Sequence, residues 1–400
     1  MGRTARSDPF TPGFGNLPRV FAGRDDEFND LTRMVDRLTD GVYEQPRMVT
    51  GDRGMGKTSL LLHFEAEQAE AGRWVVRAAA TRDSAVLGRL CRGLAETLRD
   101  HDLAGALGAS IATALKRLAG ISLGATGLSV DLHHALDPSL AGDELRTLLT
   151  SVAELARADD TALVLLVDEA QNIDLPTLGH LFYAIQEVQG VTVVDRDPDT
   201  GALRRDALPM AVVVAGLPGL VGRLRRAGST FGERSKPVRL EALGRADVLV
   251  ALREFAHEGG AAFDDDAAGL VADASGGYPY FLHVIGSHVW TAGGGGVVTA
   301  DEAATGIARA RPYLEEFYRQ RLAEIGDLQR SYLHAAAELS PPERTPGAVA
   351  RALGRTSTQL GSTLNALADA HGLLRHDGTG RLVFALPGLD VHLRATAALD

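Results

Sequence analysis

The chain has 400 residues, of which 45% are hydrophobic and 23% charged, a composition typical of soluble globular proteins with two or three domains. The longest apolar run, 162–167, is too short to span a bilayer, and no signal peptide follows the first arginines, so we predict a cytoplasmic protein with no membrane partner. The net charge of −11 excludes a uniformly basic nucleic-acid coat protein. The single cysteine, Cys91, excludes an internal disulfide.

The first 18 residues are rich in proline and glycine and predict a flexible lead-in. Residues 19–240 alternate strand-like apolar runs with helical patterns, which predicts a parallel sheet covered by helices on both faces. The predicted strands lie at 47–50, 74–80, 163–167, 211–215 and 237–240. Two stretches, 121–132 and 191–205, interrupt this alternation with patterns typical of β-hairpins.

The octet Gly51–Thr58 follows the first predicted strand and fits G-x-x-x-x-G-K-[ST], a loop that wraps the phosphates of a nucleoside triphosphate. Its glycines let backbone N–H groups point at the phosphates, and the following helix adds the positive end of its dipole. Lys57, one of only three lysines in the chain, would reach the β- and γ-phosphates, and the Thr58 hydroxyl would bind Mg²⁺. The predicted phosphate-binding residues are Gly51, Gly54, Met55, Gly56, Lys57, Thr58 and Ser59.

Asp168 and Glu169 end the buried apolar strand at 163–167. A P-loop enzyme needs such a pair on the strand beside the loop, so we expect Asp168 to support Mg²⁺ and Glu169 to orient and deprotonate the attacking water. An acidic pair that opens a helix is the alternative. The next strand ends at Gly216 without a polar side chain to sense the γ-phosphate, which leaves the rate of hydrolysis open.

Four arginines precede the last predicted strand: Arg223, Arg225, Arg226 and Arg234. An ATPase that works at a subunit interface needs an arginine that reaches a neighbour's γ-phosphate and stabilises the charge of the transition state. We predict this catalytic role for Arg234 in a homo-oligomer. A solvated basic helix end is the alternative.

Residues 241–311 lose the strand pattern and predict a helical unit. Its predicted helices lie at 246–256, 265–274 and 279–290, and Thr299 with Glu302 forms a capping box for another. This unit is small and follows the α/β section directly.

Residues 312–400 predict a long helix over 313–325 and then helix, turn, helix and hairpin, the order of a winged helix. Polar side chains of the second short helix could hydrogen-bond base edges of DNA, and nearby arginines could meet its phosphates. The polar residues are Thr358, Gln359, Ser362, Thr363 and Asn365, and the arginines are Arg351, Arg355, Arg375 and Arg381. Six arginines against five acidic residues over 341–400 give thin support for strong DNA binding, so contact with a protein is the alternative.

Several segments together make the chain resemble the AAA-type ATPases of the origin-recognition and STAND neighbourhood. These segments are 18–28, Gly51–Thr58, 168–171, 215–218 and 276–282. The first resembles the family's N-terminal box and implies that Val20, Phe21 and Arg24 lie along the nucleotide. The last resembles the lid element that closes over the nucleotide, which implies a contact from Pro279. Origin-recognition ATPases usually carry a sensor arginine there, whereas this chain has Pro279 and Tyr280.

These features predict an ATP-binding and ATP-hydrolysing switch with an α/β P-loop domain (19–240), a helical lid (241–311) and a winged-helix domain (312–400). Its cofactors would be ATP and Mg²⁺, and nucleotide would control assembly into a homo-oligomer. The favoured output is binding of double-stranded DNA through the winged helix or the hairpins, or loading of a DNA-acting partner. The alternatives are a STAND-type signalling ATPase that senses a protein without DNA contact, and a nucleotide-binding scaffold with negligible turnover.

Overall fold

The computed structural model describes residues 2–13, 20–81, 86–101, 109–119, 121–124, 127–130, 141–196 and 201–397. Within these ranges the strands are β1 (Arg47–Thr50), β2 (Trp74–Ala79), β3 (Ile121–Gly124), β4 (Gly127–Val130), β5 (Leu163–Asp168), β6 (Thr192–Arg196), β7 (Leu203–Ala207), β8 (Met210–Gly216), β9 (Lys236–Arg239), β10 (Ala262–Phe263), β11 (Val297–Val298), β12 (Leu374–His376) and β13 (Leu382–Phe384). The α-helices are α1 (Asp25–Thr39), α2 (Lys57–Glu70), α3 (Val86–Asp100), α4 (Ala109–Ala119), α5 (Ala141–Ala158), α6 (Leu175–Gln189), α7 (Leu220–Arg226), α8 (Phe231–Arg234), α9 (Arg245–Glu258), α10 (Asp265–Ser275), α11 (Pro279–Trp290), α12 (Ala300–Ala323), α13 (Asp327–Glu338), α14 (Pro346–Ala352), α15 (Ser357–Asn365) and α16 (Leu389–Ala397).

Five parallel strands form the central sheet in the order β2-β5-β8-β1-β9. Every residue of β5 and β8 is buried. Helices cover both faces of a parallel sheet, so its central strands are enclosed on each side and consist mostly of apolar residues. The sheet and its helices confirm the predicted α/β class. All five strands that the sequence predicts for this sheet are present.

The position of β5 in the sheet differs from the sequence prediction. We expected the strand that ends in Asp168 and Glu169 to lie beside the P-loop strand, but β8 pairs with both β1 and β5 and separates them. The prediction was wrong because sequence order does not give the order of strands in a parallel sheet. The carboxyl ends of parallel strands nevertheless share one edge, so the acidic pair stays close to the loop.

Both interrupting stretches form antiparallel pairs, β3 with β4 and β6 with β7. In the second pair Arg196 and Arg205 are exposed, and Arg204 forms an ion pair with Asp206 at 2.6 Å. Residues 125–126, 131–132 and 197–200 of the predicted hairpins lie outside the described residues.

The helical unit contains the predicted helices, and Thr299 and Glu302 form the predicted capping box. Its last helix, α12, continues through Pro312 for 24 residues. The boundary that we placed between residues 311 and 312 therefore falls inside a helix. The reason is packing, because Ala310 before the proline and Phe317 after it are buried in one continuous core.

The N-terminal segment differs from the flexible lead-in that we expected. Phe10 is 4% exposed, and its ring centroid lies 4.7 Å from that of Phe255 in α9. The Arg3 side chain donates to the carbonyl oxygen of Gly295 at 2.9 Å and forms an ion pair with Glu302. Burial of an aromatic ring and a paired guanidinium fixes residues 2–13 against the lid. Residue 1 and residues 14–19 lie outside the described residues.

The C-terminal part packs helices α13 to α16 and the antiparallel pair β12–β13 around buried apolar side chains. Four of the five polar residues proposed to read bases are exposed: Thr358, Gln359, Ser362 and Asn365. Thr363 is 7% exposed, so its proposed contact with DNA was wrong. It lies next to Leu364 on the face of α15 that joins the core. Across the described ranges, no helix has the length and apolar composition needed to cross a membrane.

Candidate functional site

A cavity of about 650 Å³ lies at the carboxyl edge of the central sheet, between the sheet and helices α9 and α11. This volume is typical of cofactor pockets. Its lining comes from the P-loop, the segment before α1, the end of β5 and the start of α11. The fold thus gathers the segments that the sequence places around a nucleotide.

The P-loop turns tightly between β1 and α2. Gly54 and Gly56 have φ values of 82° and 86°, a left-handed conformation that side chains disfavour. Lys57 is 4% exposed, and its Nζ donates to the carbonyl oxygens of Gly51 and Asp52, both at 2.9 Å. The loop and the start of α2 line the cavity, an arrangement that fits a phosphate chain.

Buried charges converge on this loop. Burial lowers the pKa of the Lys57 ammonium, and the carboxylates of Glu169, Asp168 and Asp52 oppose that shift. Burial also raises the pKa of Asp168, and a hydrogen bond from the Thr58 hydroxyl opposes it. A hydroxyl and a carboxylate side by side fit Mg²⁺, which is held by one or two carboxylates together with phosphate oxygens and water.

Glu169 adopts a strained backbone conformation with φ of 53°, which costs about 1–3 kcal/mol and is found most often at functional sites. Its carboxylate accepts a hydrogen bond from the Gln171 amide. Gln171 Oε1 accepts one from the Leu217 N–H at 3.1 Å, and a side-chain carbon at Gly216 would lie 2.9 Å from that oxygen. Gln171 therefore supplies a polar group at the end of β8, where the sequence of β8 itself offers none.

Most of the predicted site residues lie around the cavity. The lining includes Val20, Phe21, Arg24, Gly54, Met55, Gly56, Lys57, Thr58, Ser59, Asp168, Glu169 and Pro279. Gly51 takes part through its carbonyl, which accepts from Lys57. Arg24 also supports the P-loop, because its guanidinium donates to the Met55 carbonyl at 3.4 Å. Arg234 is exposed on α8 and is not part of the lining.

Two family models match parts of this chain. Residues 20–194 match the AAA ATPase domain family. This match covers the P-loop, the acidic pair and the segment before α1. Residues 315–393 match a second family, described as a domain of unknown function (DUF8462). Among curated proteins, the sequence has no significant match.

Solved structures share the fold over nearly the whole chain. A Walker-type ATPase of Pyrococcus abyssi has a TM-score of 0.61 and 15% identity, with 94% of this chain and 96% of that chain covered. The ORC2 protein of Aeropyrum pernix, solved with ADPNP and ADP, has a TM-score of 0.55 and 14% identity, with 97% and 98% covered. At such identities the likeness concerns the fold alone, and it extends beyond the AAA ATPase domain to the C-terminal helices.

The lid side of the cavity contains residues that sequence reasoning missed. Leu282 and Phe255 give it an apolar wall, and Thr11 comes from the N-terminal segment. The Thr11 N–H donates to His283 Nδ1 at 3.2 Å, so the imidazole is an acceptor at that nitrogen. Burial lowers the pKa of His283 to about 4. No motif marks these residues, since they meet only through tertiary packing of the lid on the AAA ATPase domain.

His283 gives a pH prediction. Its folded pKa of about 4 lies below the value of about 6.5 in an unfolded chain. Between these values the unfolded chain binds a proton that the folded protein does not, so stability falls as the pH falls, by about 2 kcal/mol between pH 7 and pH 5. In His283→Asn the amide oxygen can accept from Thr11, and this contribution disappears. Urea unfolding at both pH values measures the difference; equal losses in the two proteins would contradict the assignment.

Tyr278 is the second group that the sequence did not reveal. It is fully buried, and its hydroxyl donates to the carbonyl oxygen of Arg53 in the P-loop. A side-chain carbon at Gly54 would lie 2.7 Å from the Tyr278 hydroxyl oxygen. The lid thus touches the loop so closely that only glycine fits at residue 54.

Gly54→Ala should therefore weaken both the fold and nucleotide binding. The added methyl clashes with Tyr278, and φ at this position is 82°. Gly72→Ala is the matched control, because its φ is 76° and no atom lies within 4 Å of the added carbon. Each variant carries the cost of about 1–2 kcal/mol of a side chain in the left-handed conformation, but only Gly54→Ala should also lose ATP affinity, measured by calorimetry. Equal behaviour of the two variants would rule out the steric contact.

Proposed function

We propose that the protein is a Mg²⁺-dependent switch that binds ATP and hydrolyses its β–γ phosphoanhydride bond. The P-loop backbone and Lys57 hold the phosphates, and Thr58 with Asp168 holds the metal ion. The observation that carries this proposal is the meeting of the Lys57 amine with the carboxylates of Asp168 and Glu169 at one cavity behind a glycine-rich loop. The match to the AAA ATPase domain family supports it.

The proposed chemistry follows from these positions. Glu169 accepts a proton from water as the water oxygen attacks the γ-phosphorus, and the bond to the β–γ bridging oxygen breaks to give ADP and phosphate. When bound, Mg²⁺ supplies positive charge to the β- and γ-phosphate oxygens. Gln171 holds the Glu169 carboxylate through its amide, which makes it a positioning residue.

Assembly forms a further part of the proposal. Arg234 is exposed at the end of α8, shortly before β9 begins, where it can meet the nucleotide of a second copy. In such a homo-oligomer Arg234 would stabilise transition-state charge in trans. Particle size measured with ADP and with an ATP analogue tests whether nucleotide controls assembly. The Arg234→Ala variant should still assemble but hydrolyse ATP more slowly.

For the output we propose contact with double-stranded DNA through a C-terminal winged helix. Exposed polar side chains of α15 support this, and so do four exposed arginines nearby. The arginines are Arg351, Arg355, Arg375 and Arg381. Phosphate contacts by arginine make DNA affinity fall steeply with salt.

A protein-sensing switch is the second candidate, and one observation favours it. The C-terminal part packs directly on the nucleotide domain, since an added carbon at Gly372 would lie 3.0 Å from Asp52 Oδ1, and one at Gly219 would lie 2.8 Å from Asp369 Cβ. A domain held there is suited to release by a partner.

We retain the proposed division into 19–240, 241–311 and 312–400, with α12 shared by the last two parts, and a cytoplasmic location.

A gel-shift titration with duplex DNA separates the two outputs. We expect a shift that weakens with salt and depends on whether ADP or an ATP analogue is present. A shift that is lost when Arg355 and Arg381 are changed to alanine supports the winged helix, and Arg99→Ala, an exposed arginine of α3, is the control. No salt-sensitive shift in any nucleotide state would leave the protein-sensing switch.

A further inference from the structure

Arg321 projects into the nucleotide cavity from α12, a helix that carries no nucleotide-binding motif. Its side chain is 15% exposed, and its Cζ lies 5.0 Å from the centroid of the Phe317 ring. Its ion-pair partner is Glu324, at 3.4 Å, one turn further along. A guanidinium that is mostly buried and faces a cavity is costly unless an anion satisfies it.

Glu324 does not serve Arg321 alone. The same carboxylate pairs with Arg53 of the P-loop at 3.2 Å. Two guanidinium groups, one from the loop and one from α12, therefore share one carboxylate. Burial lowers the pKa of Arg321, and the positive charge of Arg53 adds to that effect. The cluster carries excess positive charge and would gain from a second anion.

The cluster lies at the outer end of the P-loop. Arg53 precedes Gly54, and the Arg53 carbonyl accepts the hydrogen bond from Tyr278. The Lys57 amine, which reaches the β- and γ-phosphates in this kind of loop, lies against the neighbouring carbonyls of Gly51 and Asp52. Arg321, Arg53 and Lys57 thus line one cavity together.

The positive charge at this position comes from α12 and not from the described residues of the lid. Among the described residues 241–299, none of those that line the cavity is a lysine or an arginine. Pro279 and Tyr280 occupy the start of α11. Arg321 is therefore the cationic side chain that the cavity receives from beyond the lid.

We propose that Arg321 binds the γ-phosphate of ATP in cis and that Glu324 competes with this phosphate for the guanidinium. This inference rests on the proposed ATP site. ADP lacks the γ-phosphate, so it leaves the Arg321–Glu324 pair intact. Arg321 thereby discriminates ATP from ADP, and it links the end of the phosphate chain to the helix that leads into the C-terminal part.

Calorimetry with ADP and with a non-hydrolysable ATP analogue tests the proposal. In Arg321→Met, which keeps the aliphatic stem over Phe317 and removes the charge, we expect affinity for the ATP analogue to fall at least about 10-fold and affinity for ADP to change less than about 3-fold. Arg319→Ala on the same helix, an exposed arginine paired with Glu316 at 2.7 Å, should change neither. Glu324→Gln should tighten binding of the ATP analogue relative to ADP.

The outcomes separate this inference from the proposed function. If the wild-type protein binds neither nucleotide, the ATP site itself is wrong. If it binds both, but Arg321→Met lowers both affinities equally or neither, Arg321 does not contact the γ-phosphate. The melting temperature of each variant without nucleotide shows whether the fold is kept, and Arg321→Lys provides a second variant that should recover part of the preference for ATP.

Discussion

Lys57→Ala should weaken binding of both ATP and ADP by about 30-fold or more. The amine is buried against the Gly51 and Asp52 carbonyls and faces three carboxylates. Its positive charge is therefore needed to offset the negative charge of the phosphates when they bind. Loss of one partner from a buried charge pair costs about 2–5 kcal/mol, which corresponds to a weakening of about 30-fold to several thousand-fold. Isothermal titration calorimetry with Mg²⁺ present measures this directly.

The chain provides a close control for this variant. Lys116 lies exposed on α4, and Lys116→Ala removes one positive charge without touching the cavity. It should bind nucleotide like the wild-type protein. Unchanged affinity in Lys57→Ala would overturn the assignment of the P-loop.

Glu169→Gln should stop hydrolysis while ATP binding survives. The amide keeps the size of the side chain and its contact with Gln171, but it cannot take a proton from water. Loss of a general base lowers kcat by about 10²–10⁴-fold. Phosphate release under single-turnover conditions, together with calorimetry on the same preparation, separates the two effects.

Asp160→Asn is the matched control for Glu169→Gln. Asp160 is the other described non-glycine residue with positive φ, 52° against 53° for Glu169, and it is exposed away from the nucleotide cavity. Its substitution should leave the rate unchanged. Equal, near-zero rates in wild type and Glu169→Gln would instead support a nucleotide-binding scaffold without turnover.

The parts of the structure that the sequence predicts are those governed by local patterns. The apolar run at 163–167 has to be a buried strand, and the spacing of glycines around Lys57 allows few other turns. The helix caps at Thr299 and the stop at Gly372, whose φ is 60°, likewise depend on near neighbours. For this reason the five strands of the central sheet and the helices that follow them form near the sequence positions that we predicted.

The remaining features depend on contacts between distant segments. Nothing near Arg321 or His283 in the sequence indicates that α11 and α12 bring them to the cavity. The insertion of β8 between β1 and β5 is a choice among strand orders that the sequence pattern does not distinguish. Phe10 illustrates the same point. The prolines around it indicate a flexible N-terminal segment, but its ring packs on Phe255 and fixes this segment.

The continuity of α12 has a mechanical consequence. A helix of 24 residues is about 36 Å long at about 1.5 Å per residue. One rod therefore extends from the capping box at Thr299 to the cluster of Arg321 and Glu324. A tilt of about 5° at one end would displace the other by about 3 Å, as the length of the rod dictates. Arg321 and Glu324 lie at the end of this rod that adjoins the C-terminal part, so a tilt that starts at the cavity would displace the opposite end, at Thr299, the most.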